Sequence, residues 1–165
     1  MIKKSILSSF LIFISMVLIG MISSKFFLNN TAWFGNEVPK LTANDIFLHN
    51  LKSNIINLFG IISFGFLTIV YLITNGFLLG VTISKGGMYM FFSKILPHGI
   101  FGVTSMILIA SIGLLPIWIG IYKYKNLYIN FSKKGVIKIL KIITLSIILL
   151  FLAAIIEGAI ISGGV

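Results

Sequence analysis

Apolar residues run through this chain in long stretches, separated by short polar ones, a pattern of membrane-depth helices rather than of alternating strands. The first run, "ILSSFLIFISMVLIGMI" from Ile6 to Ile22, follows Lys3 and Lys4 and imitates a secretory signal. It lacks a small-x-small cleavage site, so it reads as an uncleaved anchor over residues 5–24. After a polar stretch comes an uncharged run from Ile55 to Ser84, long enough for one span with a marked break at Asn75 and Gly76. Two more runs, Gly99 to Tyr122 and Ile142 to Ile161, complete four clear spans, expected at 5–24, 53–74, 99–122 and 139–161.

Lysine placement tests the topology, because lysine-rich loops stay in the cytoplasm. Lys123, Lys125, Lys133, Lys134, Lys138 and Lys141 lie between the last two spans and should share a side with Lys3 and Lys4. Four simple spans put the two groups on opposite sides. An irregular fifth crossing over 76–93, shielded from lipid because it holds Lys85 and the Gly86 and Gly87 pair, removes the conflict. The expectation is therefore an all-α, polytopic helical bundle in one domain over 1–165. It would be multi-pass in the cell membrane, with its N-terminus in the cytoplasm.

Composition agrees with this picture and narrows the function. Of 165 residues, 58% are hydrophobic and 10% charged, with a mean hydropathy of +1.13, far outside the soluble range. The net charge of +10 arises from lysines set against Glu37, Asp45 and Glu157. Those lysines flank apolar runs, where they meet anionic lipid headgroups; they form neither a basic helix nor an aromatic platform for nucleic acid. Cysteine is absent, which excludes thiolate metal sites and cysteine nucleophiles. The two histidines and three acids make no His-Glu-x-x-His site, and no serine elbow or phosphate loop is present. No catalytic residue, cofactor or metal is expected. Asp45 and His49, four apart, read as a solvated amphipathic turn.

Candidate polar chemistry is confined to a few positions. In "TNGFLLG", Asn75 accompanies Gly76 and Gly80, spaced one helical turn apart so that another helix can approach closely. Helix packing explains the motif, and so does a polar ligand site around the amide. In "LPHG", Pro97 suits the first turn of a helix and sets His98 and Gly99 at the membrane edge. Glu157 is the one acid inside an apolar run and calls for a partner or a polar cavity. Counting about 20 residues back from Tyr122 and forward from Lys138 puts Gly102 and Glu157 at similar depth, so contact between His98 and Glu157 is open alongside other partners for the acid.

The ordered pieces "HNLKSNI" from His49, "TNGFLLG", "LPHGIF" and "AAIIEGAI" resemble the family of stage II sporulation protein M, small multispanning membrane proteins. The resemblance spans residues from about 46 onward. It implies that Asn50, Asn75, Gly76, Pro97, His98, Gly99 and Glu157 are characteristic positions. It also implies a Glu three residues after the Pro-His-Gly glycine, where this chain has Gly102.

The sporulation member works with two partner membrane proteins in peptidoglycan remodelling during engulfment. Short relatives stand beside ABC transporters and in circular bacteriocin clusters. The resemblance thus leads to a non-enzymatic accessory subunit in bacteriocin maturation, secretion or immunity, partnered by ABC transporter subunits. A sporulation scaffold recruiting cell-wall hydrolases is the nearest alternative, and a small transporter or channel lined by Asn75, His98 and Glu157 is the third.

Overall fold

The computed structural model describes residues 1–27, 42–125 and 133–162, and these are helical with no strand among them. The helices are α1 (Ile2–Phe27), α2 (Ala43–Leu58, extended by a 3-10 turn at Phe59–Ile61), α3 (Phe66–Met90), α4 (Leu96–Gly113), α5 (Leu115–Tyr124) and α6 (Lys133–Ser162). Four stretches are long and apolar enough to cross a membrane: Ile2–Ser24, Phe66–Gly87, Leu96–Tyr124 (α4 and α5 together) and Lys133–Ile160. The protein is an all-α membrane bundle. Glu37 and Lys40 lie outside the described residues.

Small residues decide which helices touch. A Cβ added to Gly80 would collide with the Val17 carbonyl, and one added to Gly76 would sit 2.7 Å from the Phe13 carbonyl oxygen. Gly20 meets the backbone of Phe77 in the same way, so α1 and α3 lie backbone to backbone and run in the same direction. Helix α4 runs against both. Its Ser111 carbonyl accepts from the Ser5 hydroxyl near the start of α1, and its buried face of Met106, Ile107, Ala110 and Leu114 packs with Phe13, Val17 and Leu72 as the core.

The return from α1 to α3 is made by α2, and here the sequence-based spans need correction. Asn54 Nδ2 donates to Ser105 Oγ (3.1 Å), Asn57 Nδ2 reaches the Met106 carbonyl (3.4 Å), and Gly60 lies against Gly113, so α2 runs parallel to α4. With its 3-10 extension α2 rises about 30 Å, the thickness of a hydrocarbon core. At Phe64 (φ 51) and Gly65 (φ 86) the chain reverses into α3. The span expected over 53–74 is therefore divided between two antiparallel helices. The break expected at Asn75 is absent: α3 is helical through Asn75 and Gly76, and the Asn75 amide donates to the Tyr71 carbonyl (2.8 Å). The separate crossing expected over 76–93 is the second half of α3, a kink at Gly87 (φ 71), and a π turn over Phe91–Ile95 that leads into α4. Helices α1, α2, α3, α4–α5 and α6 alternate in direction.

One end of this bundle collects the lysines. Lys4 lies over the rings of Trp118 (5.6 Å) and Tyr122 (5.2 Å), which ties the start of α1 to α5. Lys123, Lys125, Lys133, Lys134, Lys138 and Lys141 occupy the same end and are exposed.

Candidate functional site

At the opposite end, α2, α3, α4 and α6 diverge around a polar chamber of about 270 Å³. Its polar lining comes from Asn50 and Asn54 on α2, Tyr71 and Asn75 on α3, His98 on α4 and Glu157 on α6, with Phe13 of α1 among the apolar walls. Local sequence accounts for each position. Asn50, Asn54 and Asn57 repeat at helical spacing, so a single stripe of α2 carries all three amides inward. Pro97 sits in the first turn of α4, where its missing N–H costs nothing, and turns His98 towards α6. Antiparallel pairing of α4 with α6 then brings His98 Nε2 to 3.9 Å from Glu157 Oε2.

At that distance the pair is in close contact but longer than a hydrogen bond. The His98 and Glu157 side chains are 26% and 30% exposed, facing the chamber, and His98 Nδ1 is buried with no partner among the described residues. Deeper in, a second polar layer closes the chamber floor. Ser105 Oγ accepts from Asn54, donates to the Ser146 carbonyl (2.9 Å) and lies 2.6 Å from Ser146 Oγ, joining α2, α4 and α6 in one network. Asn57 Oδ1, below it, is likewise buried and unpaired. Helices held by hydrogen bonds at the floor and open above can admit a polar guest while the outer apolar faces stay in lipid.

The candidate residues thus separate into two places. Asn50, Asn75, His98, Gly99 and Glu157 line the chamber, whereas Gly76 and Gly80 lie on the contact between α1 and α3. Pro97 acts through the helix start. Gly99 is not a helix-packing glycine: it has only Ile95 Cγ2 near an added Cβ, at 3.8 Å, and forms chamber wall. Gly102 lies on that wall too, where an added Cβ would meet Ala153 Cβ at 3.9 Å, ordinary contact distance. A Glu at that position would place a second carboxylate in the same space.

Asp45 and His49 stand on the exposed face of α2, away from the chamber. Asp45 belongs to a capping box: Thr42 N donates to it (3.0 Å), and its own N–H donates to Thr42 Oγ1 (3.2 Å). The Thr42 hydrogen bonds hold the Asp45 carboxyl below the usual range. Asn54, Tyr71 and the Ser105–Ser146 pair were not singled out from the sequence; the asparagine spacing in "NLKSNIIN" was the available signal. Among the described residues no group of three His, Cys, Asp or Glu could hold a metal.

The family model of stage II sporulation protein M matches residues 9–161. A protein of Methanocaldococcus jannaschii, described as uncharacterized, is 33% identical over 130 residues, covering 74% of this chain and 73% of its own length. No solved structure matches.

Proposed function

Given that the chain belongs to the stage II sporulation protein M family, we propose that it is a non-enzymatic membrane protein whose chamber takes up a small, positively charged polar solute. The carrying observation is the chamber itself: an acid, an imidazole, three amides and a phenol converge at membrane depth, and its lining holds no lysine although the chain is strongly basic. Polar groups at that depth are costly unless they serve one another or a guest. Glu157 supplies the charge, and Asn50, Asn75 and Tyr71 supply oxygen acceptors.

The test is binding by the purified full chain in lipid nanodiscs. Small organic ammonium ions are expected to raise its melting temperature, and Glu157→Gln and Asn75→Ala are expected to remove that rise. No shift with amines, amino acids or alkali cations would overturn the proposal. Flux in proteoliposomes then separates a carrier from a receptor.

The family match favours a second reading, in which the chain is an accessory subunit of a larger membrane assembly. Bacteriocin maturation, secretion or immunity beside an ABC transporter is one setting, and a sporulation engulfment scaffold the other. Gene neighbours distinguish them: a small bacteriocin precursor with an ATPase, or cell-wall hydrolases.

A further inference from the structure

The outward face of α2 differs from the apolar stripes that α1 and α6 turn outward. On α1 the exposed stripe is Leu7, Phe10, Leu11, Leu18 and Ile22, and on α6 it is Leu145, Ile148, Phe151, Leu152 and Ile155, all suited to lipid tails. On α2, exposed Leu48, Ile55, Ile56 and Phe59 are interrupted by His49 and Lys52. The inward stripe of the same helix holds its asparagines, so this pattern is not an inverted helix.

Depth makes Lys52 costly. Phe47 stacks edge-on against Phe151 (6.0 Å), and Asn54 reaches the Ser105–Ser146 pair, so Lys52 stands level with the α6 segment between Ser146 and Phe151. That segment is midway between Lys141 and Glu157, the charges that bracket the apolar run of α6, and lies roughly 11 to 13 Å from each. An ammonium in mid-bilayer is tolerated where a protein partner or water shields it. No salt bridge engages Lys52 among the described residues.

We infer that the outward face of α2 docks a transmembrane helix of another protein that carries a carboxylate near mid-membrane, paired with Lys52 and flanked by apolar residues packing on Leu48, Ile55 and Ile56. A second copy fits poorly. A two-fold axis along the membrane normal would set Lys52 against Lys52 and His49 against His49, and the acids of the described chain lie elsewhere, Asp45 in its cap and Glu157 in the chamber. The inference rests on the membrane reading of the bundle and not on what the chamber holds.

The test uses the full chain in liposomes, labelled for energy transfer to a 20-residue Leu/Ala model helix with a central Asp, Leu or Lys. The Asp helix is expected to associate about tenfold more tightly than the Leu helix, and the Lys helix to be weakest. Lys52→Leu should remove the preference and Lys52→Arg should retain it, both with melting temperatures near that of the parent. Equal association of the Asp and Leu helices, or an Asp preference that survives Lys52→Leu, overturns the inference. So does photocrosslinking through a probe at Ile56 that joins two copies of this chain, or water-exposed reactivity of a cysteine placed at 52.

Discussion

Replacing Ser105 by Ala tests whether the network at the chamber floor holds three helices together. The substitution removes one oxygen and almost no volume, so any loss of stability reports hydrogen bonding. Two interhelical bonds disappear, from Asn54 Nδ2 (3.1 Å) and to the Ser146 carbonyl (2.9 Å). The Ser146 hydroxyl keeps a partner in the Ser105 carbonyl (3.1 Å). Interhelical bonds in bilayers average about 0.6 kcal/mol and reach about 1.7. The stranded, buried Asn54 amide adds a desolvation cost of about 1 kcal/mol. The sum is about 2 kcal/mol, or roughly 30-fold in the folding equilibrium. Titration with SDS in mixed micelles, followed by tryptophan fluorescence, measures it. Thr104→Val is the control: the Thr104 hydroxyl donates to Ile100 of its own helix, so its loss should cost under about 0.5 kcal/mol. A cycle of Asn54→Ala with Ser105→Ala should show coupling of about 1 kcal/mol. If Ser105→Ala is no worse than Thr104→Val, the network does not hold the bundle and the account of the floor is wrong.

Gly80→Leu should force α1 from α3 and destabilise the bundle by about 2 to 4 kcal/mol in the same assay, with unchanged stability refuting the backbone contact. Gly102→Glu should fold, since its Cβ position is open, and should strengthen the ammonium-induced rise in melting temperature; failure to fold would contradict the chamber wall as described. Single cysteines at Ser63 and Thr42 should react with an impermeant maleimide from opposite sides of the membrane, Ser63 from the side of Lys125; labelling of both from one side would remove α2 from the crossings. Because Thr42 depresses the Asp45 carboxyl, the cap is in place at neutral pH and down to the ordinary carboxylate range, and is lost as pH falls through the lowered value. Amide exchange in the first turn of α2 should accelerate only under such acid conditions, and not in Asp45→Asn, whose cap does not titrate.

Much of the bundle is legible in the chain because lipid imposes one requirement on every span, an apolar run of sufficient length. That requirement identifies α1, α4 with α5, and α6 from hydropathy. It fails for α2. A helix that turns three asparagines towards a polar interior, and His49 and Lys52 outward, falls below any hydropathy threshold, so residues 43–54 read as part of a loop. As a result the apolar run from Ile55 reads as one span, although its first residues close α2 and its remainder forms most of α3. Among site residues, His98 and Glu157 are conspicuous as lone polar groups in apolar runs, whereas Tyr71, Ser105 and Ser146 are ordinary constituents of membrane helices.

The sequence by itself determined that this is a helical membrane protein, where its charge lies, and which residue types cannot rest in lipid unaccompanied. Only the tertiary structure decided who accompanies them. His98 and Glu157 are 59 residues apart and meet because α4 and α6 are antiparallel. Asn54 meets Ser105 because α2 runs alongside α4, and Ser105 meets Ser146 because α4 and α6 are antiparallel. Backbone hydrogen bonds and hydropathy are local and can be read along the chain. The choice of which helix faces fit together depends on glycine contacts and buried amides that gain their meaning only from the opposing helix.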